Sequence, residues 1–145
     1  MPFPGPGSRE LGRRVASRAM ATSEDFRSAV ENGDRDAMVA ALAPDVVFNS
    51  PVKHKPFEGR EAVAALFGAL LETFEDFRYT DEFDDDDGSK ALVFRARVGD
   101  RELEGIDILR FDDDGLVGNF TVMVRPLTGA IALAEEVGRK MGITA

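Results

Sequence analysis

Apolar positions recur along this chain with two periods, and the switch between them separates a helical first half from a strand-rich second half. From Ser23 the period is helical. Ser23 stands as an N-cap before Glu24 and Asp25, and Phe26, Ala29 and Val30 follow at intervals of three and four, predicting a helix over about 23–32. Asn32-Gly33-Asp34 breaks that helix, and Asp34 caps a second, shorter one carrying Ala37, Met38, Ala41 and Leu42 up to Pro44. Asp45 to Ser50 reads as a strand halted by Pro51, and a loop leads to Gly59. Val63, Leu66, Phe67, Leu70, Leu71 and Phe74 then share one stripe of a helix beginning at Glu61. Beyond it the period falls to two. Phe77–Phe83 and Ala91–Val98 form one hairpin, and the two arms of Glu102–Arg125 form another. Their turns, Asp84-Asp85-Asp86-Asp87-Gly88 and Asp112-Asp113-Asp114-Gly115, each end in a glycine that supplies the positive φ of a tight reversal. A last helix from Thr128 turns Ile131, Leu133, Ala134, Val137 and Met141 inward.

Helices gathered first and strands later predict an α+β domain, with a curved antiparallel sheet closing over helices. Within the arm 102–111, alternation sets Gly105, Asp107 and Leu109 on one face. Asp107 is thus a carboxylate in an apolar row. Burying it bare costs several kcal/mol or more, so it must find a hydrogen-bond partner, face water or hold its proton.

The 145 residues suit one domain and include no cysteine, which excludes disulfides and thiolate metal sites. No apolar run reaches the roughly 20 residues of a membrane span, and no signal-peptide core is present, so a cytoplasmic protein without membrane contact is expected. The net charge of −9 conceals a split: residues 1–20 hold Arg9, Arg13, Arg14 and Arg18 against Glu10, a net +3, which leaves −12 for the rest. Such a surface repels phosphate backbones, so no nucleic-acid partner is expected. The Pro- and Gly-rich start, MPFPGPGS, assigns residues 1–20 to a disordered or loosely attached arm and 21–145 to the folded domain. His54, the one histidine, sits between Lys53 and Lys55 as a solvated loop residue, and no metal site or cofactor is expected. The aspartate runs lack the alternating ligands and distal glutamate of a calcium loop and serve as soluble hairpin tips.

Three stretches, SEDFRSAVENGDRDAMVAALAPDVVFNSP, PVKHKPFEGREAVAALF and GIDILRFDDDGLVGNFTVMVR, together resemble the nuclear transport factor 2-like superfamily, in its SnoaL-like and ketosteroid-isomerase-like branch. The resemblance covers roughly residues 22–127 and implies a conical sheet of the cystatin-like α+β kind, an apolar cavity between sheet and helices, and a homodimer. Carried residue by residue, the isomerase's oxyanion-holding acid falls on Asp107, its base on Ser50 and its tyrosine on Phe26. Ketosteroid isomerase is itself the worked case of a carboxylic acid kept neutral to donate a hydrogen bond. Two of three groups are chemically absent here, so steroid-type isomerisation is not expected. The epoxide-hydrolase branch fares no better: its asparagine falls on Asn49, but its tyrosine falls on Val47 and its final-strand acid on Val122, and the only tyrosine, Tyr79, lies in another strand.

The resemblance and the residues together imply a domain that binds a small, largely apolar molecule in its cone, with modest acid–base catalysis centred on Asp107. Asn49 and Ser50 are its expected polar contacts, and Phe26, Phe94, Phe120 and Val122 its apolar lining. The alternative is a non-catalytic homodimeric module whose own side chains fill the cavity.

Overall fold

A computed structural model describes residues 6–142, the side chains of 6–11 and 15 excepted. Four helices, α1 (Pro6–Glu31), α2 (Arg35–Ala40), α3 (Arg60–Thr73) and α4 (Leu127–Met141), accompany six strands. The strands are β1 (Leu42–Asn49), β2 (Phe57–Glu58), β3 (Glu75–Asp84), β4 (Lys90–Val98), β5 (Arg101–Phe111) and β6 (Val117–Arg125). They form one curved, unclosed sheet in the order β2-β1-β6-β5-β4-β3. The expected α+β class holds, with one refinement: β1 pairs parallel to β6, while every other neighbouring pair is antiparallel. No helix among the described residues is long and apolar enough to cross a membrane.

The inner face of the sheet follows from alternation. Leu92, Phe94 and Ala96 of β4, Leu103, Asp107 and Leu109 of β5, and Val117, Phe120 and Val122 of β6 are all buried. Phe26, Phe67, Leu133 and Val137 close over them from α1, α3 and α4. Phe26, Phe48, Phe67 and Phe120 form one knot of rings with centroids 5.0–6.0 Å apart. Each such pair contributes about 0.5–1.5 kcal/mol beyond its buried area.

Several boundaries differ from the pattern-based expectation. The first helix begins at Pro6, not near Ser23, so residues 6–20 extend a folded element; residues 1–5 lie outside those described. Proline fits the first turn of a helix, and better helix formers follow the proline- and glycine-rich start. Ala19 is 1% exposed. The helix runs across both hairpin turns: a Cβ on Gly115 would lie 2.3 Å from that of Arg18, and one on Gly88 would lie 3.8 Å from the Ala16 Cα. Residues 16–19 of the basic segment therefore pack against the two aspartate-rich turns.

Ser23 is consequently mid-helix and buried with an unpaired Oγ, not an N-cap. Asp34 does cap α2, accepting from the Ala37 amide at 3.1 Å. Leu42 opens β1 instead of ending α2, and the loop before Gly59 contains the short strand β2. Ile131, expected inward, is 47% exposed, because the buried stripe of α4 runs through Gly129, Leu133 and Val137.

Candidate functional site

Between α1, α3, α4 and the inner face of the sheet lies a cavity of about 380 Å³. Seven phenylalanines contribute to its wall: Phe26, Phe48, Phe67 and Phe120 in one cluster of rings, Phe74, Phe77 and Phe94 in another. The second group also packs as a unit, with Phe77 stacked on Phe94 at 4.8 Å and Phe74 edge-on to Phe94 at 5.6 Å. Gly105 makes this possible. A Cβ there would sit 2.2 Å from the Phe94 ring, so the ring occupies the space that a side chain would need.

Asp107 lines this cavity, with Leu92 and Val122 directly across on the flanking strands. It is 7% exposed. Its Oδ2 accepts a hydrogen bond of 3.1 Å from the Tyr79 hydroxyl, and no group among the described residues bonds Oδ1. Burial pushes the Asp107 carboxyl from 3.8 up to about 7, against the smaller opposing effect of the tyrosine hydrogen bond. Tyr79 is raised well above its usual value, first by burial and then by the neighbouring carboxylate. The pair therefore keeps the phenol protonated while the carboxyl changes charge near neutrality, which is where a group is most useful as both acid and base.

Tyr79 reaches Asp107 across β4, its own neighbour on that strand being Phe94. The β3–β4 register slips between Glu75 and Arg78 and again between Tyr79 and Asp81, and such bulges re-aim side chains. Above the phenol ring, the Arg27 guanidinium stands 5.4 Å from the centroid and bonds Glu31 at 2.8 Å. Arg27 also lies 3.8 Å from Glu82, so one side chain links α1 to the edge strand.

Of the expected lining residues, Phe26, Phe94, Phe120 and Val122 border the cavity, as does Ser50. The Ser50 hydroxyl accepts from the Val52 amide at 3.2 Å. Asn49 is the correction. Its amide donates to Thr121 Oγ1 at 3.0 Å and Asn119 Oδ1 at 3.3 Å, and it lies outside the cavity lining. The reason is the strand period: Phe48 points inward, so its neighbour Asn49 points to the outer face. His54 is exposed and outside the lining. Among the described residues no group of three or more histidines, aspartates or glutamates could hold a metal ion.

Sequence pattern alone placed Asp107 but missed its partner. The available signal was that Phe77 and Tyr79 share a face of β3, which puts the one phenol hydroxyl among phenyl rings. A second carboxylate, Glu31, also borders the cavity, from the exposed end of α1.

A curved, unclosed sheet covered by helices is the fold of the nuclear transport factor 2-like superfamily. The chain belongs to its SnoaL-like domain family, whose sequence profile matches residues 23–119. Among solved structures it is similar to a steroid delta-isomerase from Pseudomonas aeruginosa, at 44% identity and a TM-score of 0.83, covering 86% of this chain and 92% of that one. A cystatin-like-fold protein from Silicibacter pomeroyi is 30% identical with a TM-score of 0.79, covering 83% and 85%. A computationally designed 17-OHP binder shares the fold at 21% identity and a TM-score of 0.61, covering 77% and 93%. No curated protein matches the chain.

Proposed function

We propose that this protein binds a small, largely apolar molecule in its cone and holds one polar oxygen of that molecule against the Asp107–Tyr79 pair. The carrying observation is the placement of a hydrogen-bonded but half-satisfied acid in a cavity walled by phenylalanine. A cavity volume of about 380 Å³ falls within the usual range for small-molecule sites, which favours a ligand-accessible cone over one filled by its own side chains. When protonated, Asp107 donates a hydrogen bond to a carbonyl or hydroxyl; when ionised, it accepts a proton or a hydrogen bond. Modest acid–base catalysis centred on this one carboxyl follows from a value near neutrality.

The similarity to a protein described as a steroid delta-isomerase supports a rigid, apolar ligand. The resemblance to the isomerase branch puts Ser50 at the position of the base, and a hydroxyl with no base beside it does not take a proton from carbon, which leaves binding with modest acid–base chemistry at Asp107. The outer face of the sheet carries half-buried Val93, Ile106 and Ile108 beside exposed Met123, which supports a two-fold dimer through this face. We place the protein in the cytoplasm.

Native mass spectrometry of the purified protein tests both parts. The expected spectrum shows a dimer carrying added mass from a co-purified or supplied apolar molecule, and Asp107→Leu loses that mass while remaining folded. Bare polypeptide that takes up no apolar molecule would contradict the ligand-binding reading, and a monomer at micromolar concentration would contradict the dimer.

A further inference from the structure

Ser50, Pro51 and Val52 form part of the cavity's border, and Val52 is 38% exposed there. The next three residues, Lys53, His54 and Lys55, are all exposed. Among the described residues neither lysine lies within ion-pair distance of a carboxylate, although the chain carries a net charge of −9. Lys53 is held: its Nζ sits 5.0 Å from the centroid of the Phe57 ring. Phe57 in turn packs edge-on against Phe48, a wall of the cavity, at 6.3 Å. One uncompensated ammonium is thereby anchored beside the cavity through two rings, with a second two residues away. Glu31, an acid that also borders the cavity, is paired with Arg27 at 2.8 Å.

We infer that the ligand is an amphipathic organic anion, with its apolar body in the cone and its carboxylate, sulfonate or phosphate group at Lys53 and Lys55. This rests on the ligand-binding reading above and narrows it from any apolar molecule to a charged class. An anion placed deep in the cone would meet the Asp107 carboxylate, whereas one at the Ser50–Val52 border lies beside the exposed Lys53–Lys55 segment, and the Glu31 carboxylate that also borders the cavity is paired with Arg27. Two exposed ammonium groups attracting one anionic group through water give about a tenfold preference at low salt. Added salt weakens it.

Two dyes with the same ring system separate the possibilities: 8-anilinonaphthalene-1-sulfonate, an anion, and N-phenyl-1-naphthylamine, which lacks the sulfonate. Fluorescence titration of the full chain should show both binding. Lys53→Gln/Lys55→Gln should weaken the anionic dye about tenfold at low salt and leave the neutral dye within twofold, and Lys53→Glu/Lys55→Glu should weaken the anion further. Retained affinity of both variants for the anionic dye would overturn the inference while leaving the apolar site intact. Equal weakening of both dyes would also overturn it, because the lysines would then be acting through packing. Failure of the wild-type protein to bind either dye would overturn the ligand-binding reading and this inference with it.

Discussion

Replacing Asp107 by asparagine should stabilise this protein at neutral pH, an unusual outcome for a change at a buried polar residue. The folded-state carboxyl titrates near 7, against 3.8 for an ordinary aspartate. Because the folded value is raised, the stability associated with the protonated group is complete below pH 3.8, declines as pH rises from there, and is fully lost above about 7. At about 1.4 kcal/mol per pH unit, the gap amounts to roughly 4 kcal/mol. Asparagine keeps an acceptor for the Tyr79 hydroxyl but adds amide hydrogens that need a partner, at a cost of about 1–2 kcal/mol. The net gain at pH 8 is then about 2–3 kcal/mol, or roughly 5–10 °C in melting temperature for a domain of this size. Near pH 4 the same variant should be no more stable than wild type, since the native acid is mostly protonated there. Urea unfolding of both proteins at the two pH values measures the difference directly. A loss of several kcal/mol at pH 8 would refute the reasoning and make Asp107 an ionised structural partner.

Three further changes follow from neighbouring contacts. Tyr79→Phe removes the hydrogen bond that holds Asp107 down, so the carboxyl should titrate above 7, read by carboxyl carbon NMR, with about 1 kcal/mol lost in stability. Gly105→Ala places a methyl 2.2 Å from the Phe94 ring and should cost about 1–3 kcal/mol, together with part of the cavity, as the stacked Phe77–Phe94 pair shifts. Removing residues 1–20 takes away half of α1 and buried Ala19, so thermal unfolding should come several degrees earlier; an unchanged transition would show that this stretch contributes nothing to the fold.

Local pattern carried the architecture a long way because each strand of the sheet declares its inner face by alternation. Gly105, Asp107 and Leu109 are buried together, as the period of two requires. The same rule should have separated Asn49 from Ser50, since adjacent strand residues cannot both face the cone. What pattern could not supply was long-range placement. The parallel pairing of β1 with β6 joins segments about 70 residues apart and leaves no local mark. Tyr79 meets Asp107 only because β3 bulges and its phenol spans the intervening strand, a geometry with no signature in spacing. The basic N-terminal segment was legible as charge, but its docking against aspartate-rich turns depends on where the sheet brings those turns.

Whether Asp107 is a desolvated acid facing a ligand cavity is decided by carbon NMR of its carboxyl, titrated with and without N-phenyl-1-naphthylamine. A desolvated acid gives a midpoint near 7 in the free protein and a higher one when the apolar dye displaces water from the cone, since added desolvation further disfavours the charged form. A midpoint near the ordinary 3.8 that does not respond to the dye would contradict it.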